Sequence, residues 1–503
     1  MIVKDLPNQV KDRAIKGTMT LVVQRAVIKA IDALGIIFLA RLLTETDFGI
    51  FGIINFIVFT LFGFLSDVGL GASLIQKKTK LKKADMATVF TVQIGLALII
   101  NILIWLLSPT LVRLYQLSGP QIWLLRATGF CLLLTCFKTI PSALLQRELL
   151  YQKLLIPEIT ETVVYNLLAV VLAILGFGVW SLTGALLLRT FLGALILGLV
   201  SPWPISLTIN KQSLRELLKF GVPYQANSLL ALLKDNLTPT VIAFFYGPAA
   251  VGFVNLAQSI AAKPMEVTNI VNRVVFPTFA KIQDDKVRVG AWLEKGVRLM
   301  AYVYLPLVFG LLVSARPLLR LVYASKSDKW LPALPALYPF LIGAIPVVFT
   351  TTATNVLFSL GKSKVVLRLM VIYTILTWAV GLPLIIKLGF EGIAWAGVLV
   401  GLVSVVLVTK NLKKAQVPFS LARAFKVPFL ASALMGAILW WPMTNLVNQS
   451  LSALVLWIII GGFIYFGCLL LILRGRIKEE LILVKSLIPQ KFLEAVTGRL
   501  RKR

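Results

Sequence analysis

Apolar runs long enough to cross a bilayer follow one another along almost the whole chain, at roughly 17–43, 48–75, 84–108, 120–146, 154–175, 178–200, 216–246, 249–280, 297–324, 331–359, 365–387, 391–409, 426–447 and 451–473. A helix rises about 1.5 Å per residue, so about 20 apolar residues span the ~30 Å hydrocarbon core. Inside it every backbone N–H and C=O must find its partner within the segment, which leaves the helix as the natural solution. The expected fold is an all-α polytopic membrane protein with about fourteen transmembrane helices. Composition agrees, since 58% of the 503 residues are hydrophobic and only 14% are charged, where soluble domains carry about 25% charged residues.

The charges that remain are unevenly placed. Lys and Arg number 51 against 21 Asp and Glu, a balance that in a soluble protein would point to nucleic acid. Here the cations recur in short connections between apolar runs, so no nucleic-acid partner is inferred. With the N-terminus in the cytoplasm, the five-Lys stretch after Gln76 and the connections 147–153, 211–219, 281–298, 362–368 and 410–426 all fall inside. The opposite connections 44–47, 176–178, 247–249 and 444–450 carry no cation, and one exception on that side is Lys326 to Lys329. Cytoplasmic loops retain Lys and Arg, so both termini are expected inside. The first run begins late, is interrupted by Arg25 and Lys29 and lacks a small-residue cleavage site, so it is read as a retained helix. Cys131, Cys136 and Cys468 all lie in apolar runs and there is no His, so no disulfide framework, metal centre or cofactor is expected.

Two short internal matches hint at duplication. Asp32 and Gly49 stand 203 residues before Asp235 and Gly252, and Leu175-Gly176-Phe177-Gly178 resembles Leu388-Gly389-Phe390-Glu391 at an offset of 213. Both fall between equivalent helix pairs. They imply two six-helix lobes of like orientation around a central cavity, 1–213 and 214–414, followed by an added helix pair at 415–475 and a basic amphipathic tail at 476–503 on the inner leaflet. Parallel lobes without a large soluble domain are a transporter architecture, with the substrate site near midplane.

Leu39-Ala40-Arg41-Leu42-Leu43-Thr44 with Asp47-Phe48-Gly49, then Asp67-Val68-Gly69-Leu70-Gly71 and Leu74-Ile75-Gln76, resembles the N-terminal signature of the polysaccharide transporter family. These are repeat-unit flippases of the multidrug/oligosaccharidyl-lipid/polysaccharide exporter superfamily. Leu145-Gln146-Arg147, Gly176-Phe177-Gly178-Val179-Trp180-Ser181-Leu182 and Phe220-Gly221-Val222-Pro223 extend the resemblance over about residues 15 to 410. It implies a two-lobed carrier moving undecaprenyl-diphosphate-linked oligosaccharide from the inner to the outer leaflet of a bacterial plasma membrane. The implied partners are that lipid-linked substrate, membrane lipids, and a polysaccharide polymerase with its chain-length machinery. The glycan is not named by the resemblance.

A charge at mid-bilayer costs about 2.5 to 3.5 kcal/mol on insertion scales, so deep charges face a protein interior or a wet cavity unless they snorkel or pair. Arg25, Lys29 and Asp32 share one helical stripe in the first run; Lys234 and Asp235 lie near the middle of the seventh, Lys263 and Glu266 beside Pro264 in the eighth. Arg273, nearer the cytoplasm, and Arg189, in the sixth run with no neighbouring carboxylate, are further cations. Arg25, Lys29, Lys234, Lys263, Arg273 and Arg189 are the candidates for holding a lipid diphosphate through charge-assisted hydrogen bonds. Asp32, Asp235 and Glu266 are the candidates for coupling. Glu158 and Glu161 follow Pro157 and are expected as exposed or helix-start groups. An enzyme is not expected, because no nucleotide loop, metal cluster or paired-carboxylate motif lies in a soluble segment. A drug or metabolite antiporter would favour a pocket dominated by carboxylates, and a membrane scaffold for glycan synthesis has no need of deep charges.

Overall fold

A computed structural model describes residues 27–473 apart from 67, 78–80, 149, 220, 222–224, 226–236, 266–283, 324–327 and 447–449. Among these residues every regular element is helical. Eleven helices are long and apolar enough to cross a membrane, or twelve when Leu331–Ala344 and Val347–Ser359, bent by 42°, count as one span. The expected fourteen are not reached for two reasons. Only 27–42 of the first run is described, and the seventh and eighth share Thr238–Ala261, broken at Gly247 with φ 74° just before Pro248.

In chain order the helices are α1 (27–42), α2 (Glu45–Asn55), α3 (Leu70–Gln76), α4 (Lys83–Leu114), α5 (Gln121–Arg147), α6 (Tyr151–Ile174), α7 (Trp180–Val200) and α8 (Thr238–Ala261). They continue with α9 (Lys286–Pro317), α10 (Leu334–Ala344), α11 (Val347–Ser359), α12 (Ser363–Leu388), α13 (Gly392–Lys414), α14 (Leu421–Asn445) and α15 (Leu451–Leu473). The chain divides into two compact units, Met1–Asn255 and Leu256–Arg503.

In the first unit, Thr44 stops α1 and starts α2 through a capping box. Its hydroxyl accepts from the Asp47 N–H at 3.1 Å, and the Asp47 carboxylate accepts from the Thr44 N–H at 3.0 Å. A π-helical stretch, Phe56–Phe62, follows α2, and Gly69, at φ 74°, restarts the chain as α3. A Cβ on Gly69 would lie 2.4 Å from the Gly221 carbonyl oxygen, and one on Gly221 would lie 2.6 Å from that of Val68. Two motif blocks far apart in sequence thus meet backbone to backbone. At this end of the unit Lys77 pairs with Asp85 and with Glu216, each at 3.0 Å, while Arg147 donates to the carbonyls of Leu74 and Lys77. Partial burial pulls the Lys77 ammonium down, but its hydrogen bonds to Asp85 and Glu216 hold its pKa above the ordinary lysine value.

At the other end of the unit α2 crosses α8 without side chains between them. A Cβ on Gly49 would lie 1.7 Å from the Pro248 carbonyl oxygen, and one on Gly252 would lie 2.1 Å from that of Glu45. Both carbonyl contacts obey the offset seen in the sequence, since 248 − 45 and 252 − 49 each equal 203. Helices in lipid gain no hydrophobic drive from meeting each other, so close approach through small residues supplies the packing. The same principle explains Ala169, Ala173 and Ala185 in the buried contact of α1, α6 and α7.

Prolines inside spans leave carbonyls four residues earlier without their helical partner, and neighbouring helices repair them. Pro109 in α4 frees Trp105, whose carbonyl accepts from Ser108 at 2.9 Å and from the Arg126 guanidinium at 3.2 Å. In the second unit Pro306 in α9 frees Tyr302, and the Tyr465 hydroxyl of α15 donates to it at 2.8 Å. Tyr304 likewise donates to Ala344 at 3.1 Å, where α10 ends before the bend. α9, α14 and α15 close around Leu321, Ala431, Met435, Leu439, Leu454 and Tyr465.

Candidate functional site

Three helices of the first unit bring charges together near the middle of their spans. Lys138 lies nine residues before the end of α5, Glu161 ten after the start of α6, and Arg189 eleven before the end of α7. At about 1.5 Å per residue that places all three roughly 14–17 Å from the same end. The Lys138 ammonium is 2.5 Å from one Glu161 oxygen and Arg189 Nε is 3.5 Å from the other. Glu161 is only 8% exposed, and the sequence makes room for it: a Cβ on Gly193 would fall 1.9 Å from its carboxylate. The Arg189 guanidinium also stands 5.5 Å from the Tyr165 ring, a cation–π distance.

Five residues further along α6, Asn166 ties the group to α1. Its amide donates to Asp32 at 3.1 Å and to the Thr162 carbonyl at 2.9 Å, and it occupies the space left by Gly35. Tyr165 lies close enough to both Arg189 and Asp32 to feel their charges. Among the described residues, Lys138 and Arg189 set two positive charges against the two negative ones of Asp32 and Glu161, and Lys29 stands exposed one turn before Asp32 on α1. A lysine offers three N–H donors and an arginine five, and Glu161 takes one from each, so donors remain for an anion's oxygens.

The sequence-derived candidates are thus only partly brought together. Arg189 and Asp32 belong to the group; Lys29 is exposed on α1, and Lys263 is exposed in the turn after α8. Arg25, Lys234, Asp235, Glu266 and Arg273 lie outside the described residues. Two expectations are corrected. Glu161 is not an exposed helix-start group but a buried one, because it sits eleventh in α6 between two cations, whereas Glu158 is exposed as expected. Arg189 does have a carboxylate neighbour, supplied by another helix. Lys138, Tyr165, Asn166, Gly35 and Gly193 were missed. Lys138 carried a legible signal, being an isolated cation within the fourth apolar run, but its pairing with α6 and α7 is a matter of tertiary contact alone.

Comparison with known proteins places the chain. A family model described as "Polysaccharide biosynthesis protein" matches residues 38–335. The lipopolysaccharide biosynthesis protein WzxC of Escherichia coli (strain K12) is 28% identical over 65% of this chain and 66% of its own length. The teichuronic acid biosynthesis protein TuaB of Bacillus subtilis (strain 168) is 23% identical over 77% of this chain and 80% of its own. Among solved structures, the lipid II flippase MurJ in an inward closed conformation shares the fold with a TM-score of 0.74 and 16% identity, covering 91% of this chain and 100% of that one. An inward-facing multidrug resistance MATE family transporter of the MOP superfamily follows, with a TM-score of 0.57, 16% identity and coverage of 82% and 95%.

Proposed function

Because the chain belongs to the polysaccharide biosynthesis protein family, whose model spans 38–335, we propose that it flips a lipid-diphosphate-linked oligosaccharide from the inner to the outer leaflet by alternating access. The relatives' names, lipopolysaccharide and teichuronic acid biosynthesis proteins among them, support a surface glycan as cargo. The observation that carries the reading is Glu161 between Lys138 and Arg189. In the empty carrier the carboxylate neutralises part of a cationic site that would otherwise be costly at midspan. An arriving diphosphate brings anionic acceptor oxygens and about twice the charge, so it competes for the same N–H donors and prevails when both of its phosphates are bound. The site then resets on release because Glu161 takes the donors back.

Arg25, Lys29, Lys234, Lys263 and Arg273 remain candidates for the same anion, with Asp32, Asp235 and Glu266 as coupling groups. The membrane is taken to be the bacterial plasma membrane with both termini inside, where polymerase and chain-length proteins would receive the product. With the interior negative, outward passage of two negative charges is downhill by about 4 to 5 kcal/mol per 100 mV, so the potential itself can drive flipping. The chain does this by binding and reorientation, without an enzymatic step.

Complementation of a strain lacking its flippase, for a defined glycan, tests the reading. Wild type restores surface glycan and clears the lipid-linked intermediate. The pair Lys138→Gln with Arg189→Gln, whose amide N–H groups still meet Glu161, leaves that intermediate on the inner leaflet at unchanged protein abundance. Near-normal export by the double variant would remove the diphosphate role, and failure of the wild-type chain across a panel of lipid-linked glycans would remove the transport reading.

A further inference from the structure

On the side that the charge pattern leaves poor in cations, the second unit carries several cations close together in sequence. α9 ends in Arg316 and runs on through a π-helical stretch that carries Arg320, and the following connection holds Lys326 and Lys329. Arg320 is matched by Asp328 at 3.2 Å. Arg316 is exposed, and its guanidinium makes no ion pair or hydrogen bond with any described residue. It borders a cavity of about 370 Å³, shared with Pro317, Tyr338, Trp440, Met443 and Thr444, and it is near enough to the Tyr338 phenol to act on it electrostatically.

Met443 also borders a second cavity of about 410 Å³ that runs along α9, α14 and α15, lined almost wholly by apolar side chains. Glycines open this groove: a Cβ on Gly310 or Gly462 would meet nothing within 4 Å. An apolar trough headed by a guanidinium that no described residue pairs, a phenol and an indole matches one kind of molecule, a lipid whose phosphate sits at the interface and whose chain points toward midplane.

We propose that this groove and the Arg316 pocket together hold one resident anionic phospholipid of the outer leaflet, its phosphodiester on Arg316 and an acyl chain along α9, α14 and α15. Charge selects the occupant. One guanidinium balances the single negative charge of a phosphodiester, whereas a diphosphate with an attached oligosaccharide would need further cations and many polar partners. The site accounts for Arg316 on the side where the orientation rule disfavours a cation. The leaflet assignment rests on the proposed orientation; the binding does not.

Native mass spectrometry of the full-length protein in detergent, titrated with phosphatidylglycerol and with diacylglycerol of the same acyl chains, tests it. Wild type retains one phosphatidylglycerol, diacylglycerol is lost, and soluble glycerol phosphate does not compete. Arg316→Gln lowers retention by at least about tenfold, the loss expected for one charge-assisted contact. Gly462→Phe lowers it by filling the groove while Arg316 is intact, and unchanged thermal unfolding of both variants establishes that they are folded. Equal retention by Arg316→Gln, or equal retention of diacylglycerol, would overturn the phosphate site. Stoichiometric displacement by a lipid-linked diphosphate would instead make the groove part of the transport path and end the resident-lipid assignment. Cysteine at Gln449 should be labelled only from outside; labelling from within would move the site to the inner leaflet without touching the binding result or the transport assay.

Discussion

Pro109 and Pro306 pose the same problem in the two units, and the protein answers it with different chemistry. Near one end of α5 the freed Trp105 carbonyl is met by a guanidinium, held between Trp105 and Trp123 at 4.7 and 5.1 Å from their rings. Fourteen residues into α15 the freed Tyr302 carbonyl is met by the neutral Tyr465 hydroxyl. Where headgroups and water are near, an arginine can serve, because its charge still reaches solvent. At midspan a neutral donor does the same work without the cost of burying an ion. Against that rule Lys138, Glu161 and Arg189 stand out, since they are charged at midspan and repair no backbone group. Backbone repair does not explain them, which supports the transport role proposed for them.

The largest effect expected from breaking this contrast falls on transport. Replacing all three with apolar residues, Lys138→Met, Glu161→Met and Arg189→Met together, should leave unfolding stability equal to wild type or higher, since a buried ion group is often no better than a packed apolar one. Glycan export should vanish; a triple variant that exports normally would place the charges in the scaffold after all. Next in size, Glu161→Leu alone strands two cations and should cost about 3 kcal/mol in SDS-titration unfolding, with Glu161→Gln costing less because its amide oxygen still accepts. A Glu161→Leu protein as stable as wild type would mean that Lys138 and Arg189 find other partners. Tyr465→Phe should cost about 1 kcal/mol, and close to nothing in a Pro306→Ala background, where the backbone N–H restored at that position already serves the Tyr302 carbonyl; a full loss in both backgrounds would break the repair account. Smallest is Arg126→Gln, about 0.5 kcal/mol, because Ser108 already serves the same carbonyl and the site is wet.

The sequence made the fold class readable because bilayer thickness imposes a length on every span, and the chain from Gly17 to Leu473 repeats that length. Charge position was equally legible: Arg189 and Asp32 could be picked as deep charges from their runs alone. What it left open is which charges meet. Glu161 follows Pro157 by four residues, which by local rules reads as the solvated start of a helix, yet α6 begins at Tyr151 and carries Glu161 well inside. The room for it depends on Gly193, as the room for Asn166 depends on Gly35, and a missing side chain in an apolar helix is silent until its neighbour is known. The added helix pair told the same story: 415–475 read as two more spans, whereas the groove that it forms with α9 came only from packing.

The crossing of α2 and α8 has a consequence for heredity. Gly49 presses on the carbonyl of Pro248, and Gly252 presses on that of Glu45, so two codons about two hundred positions apart guard one gap. Mutation at either opens the same space, and once it is open the second change has little left to break, so their effects should fail to add. In a genetic screen they would behave as a single locus written twice, and drift at one would relax selection on the other.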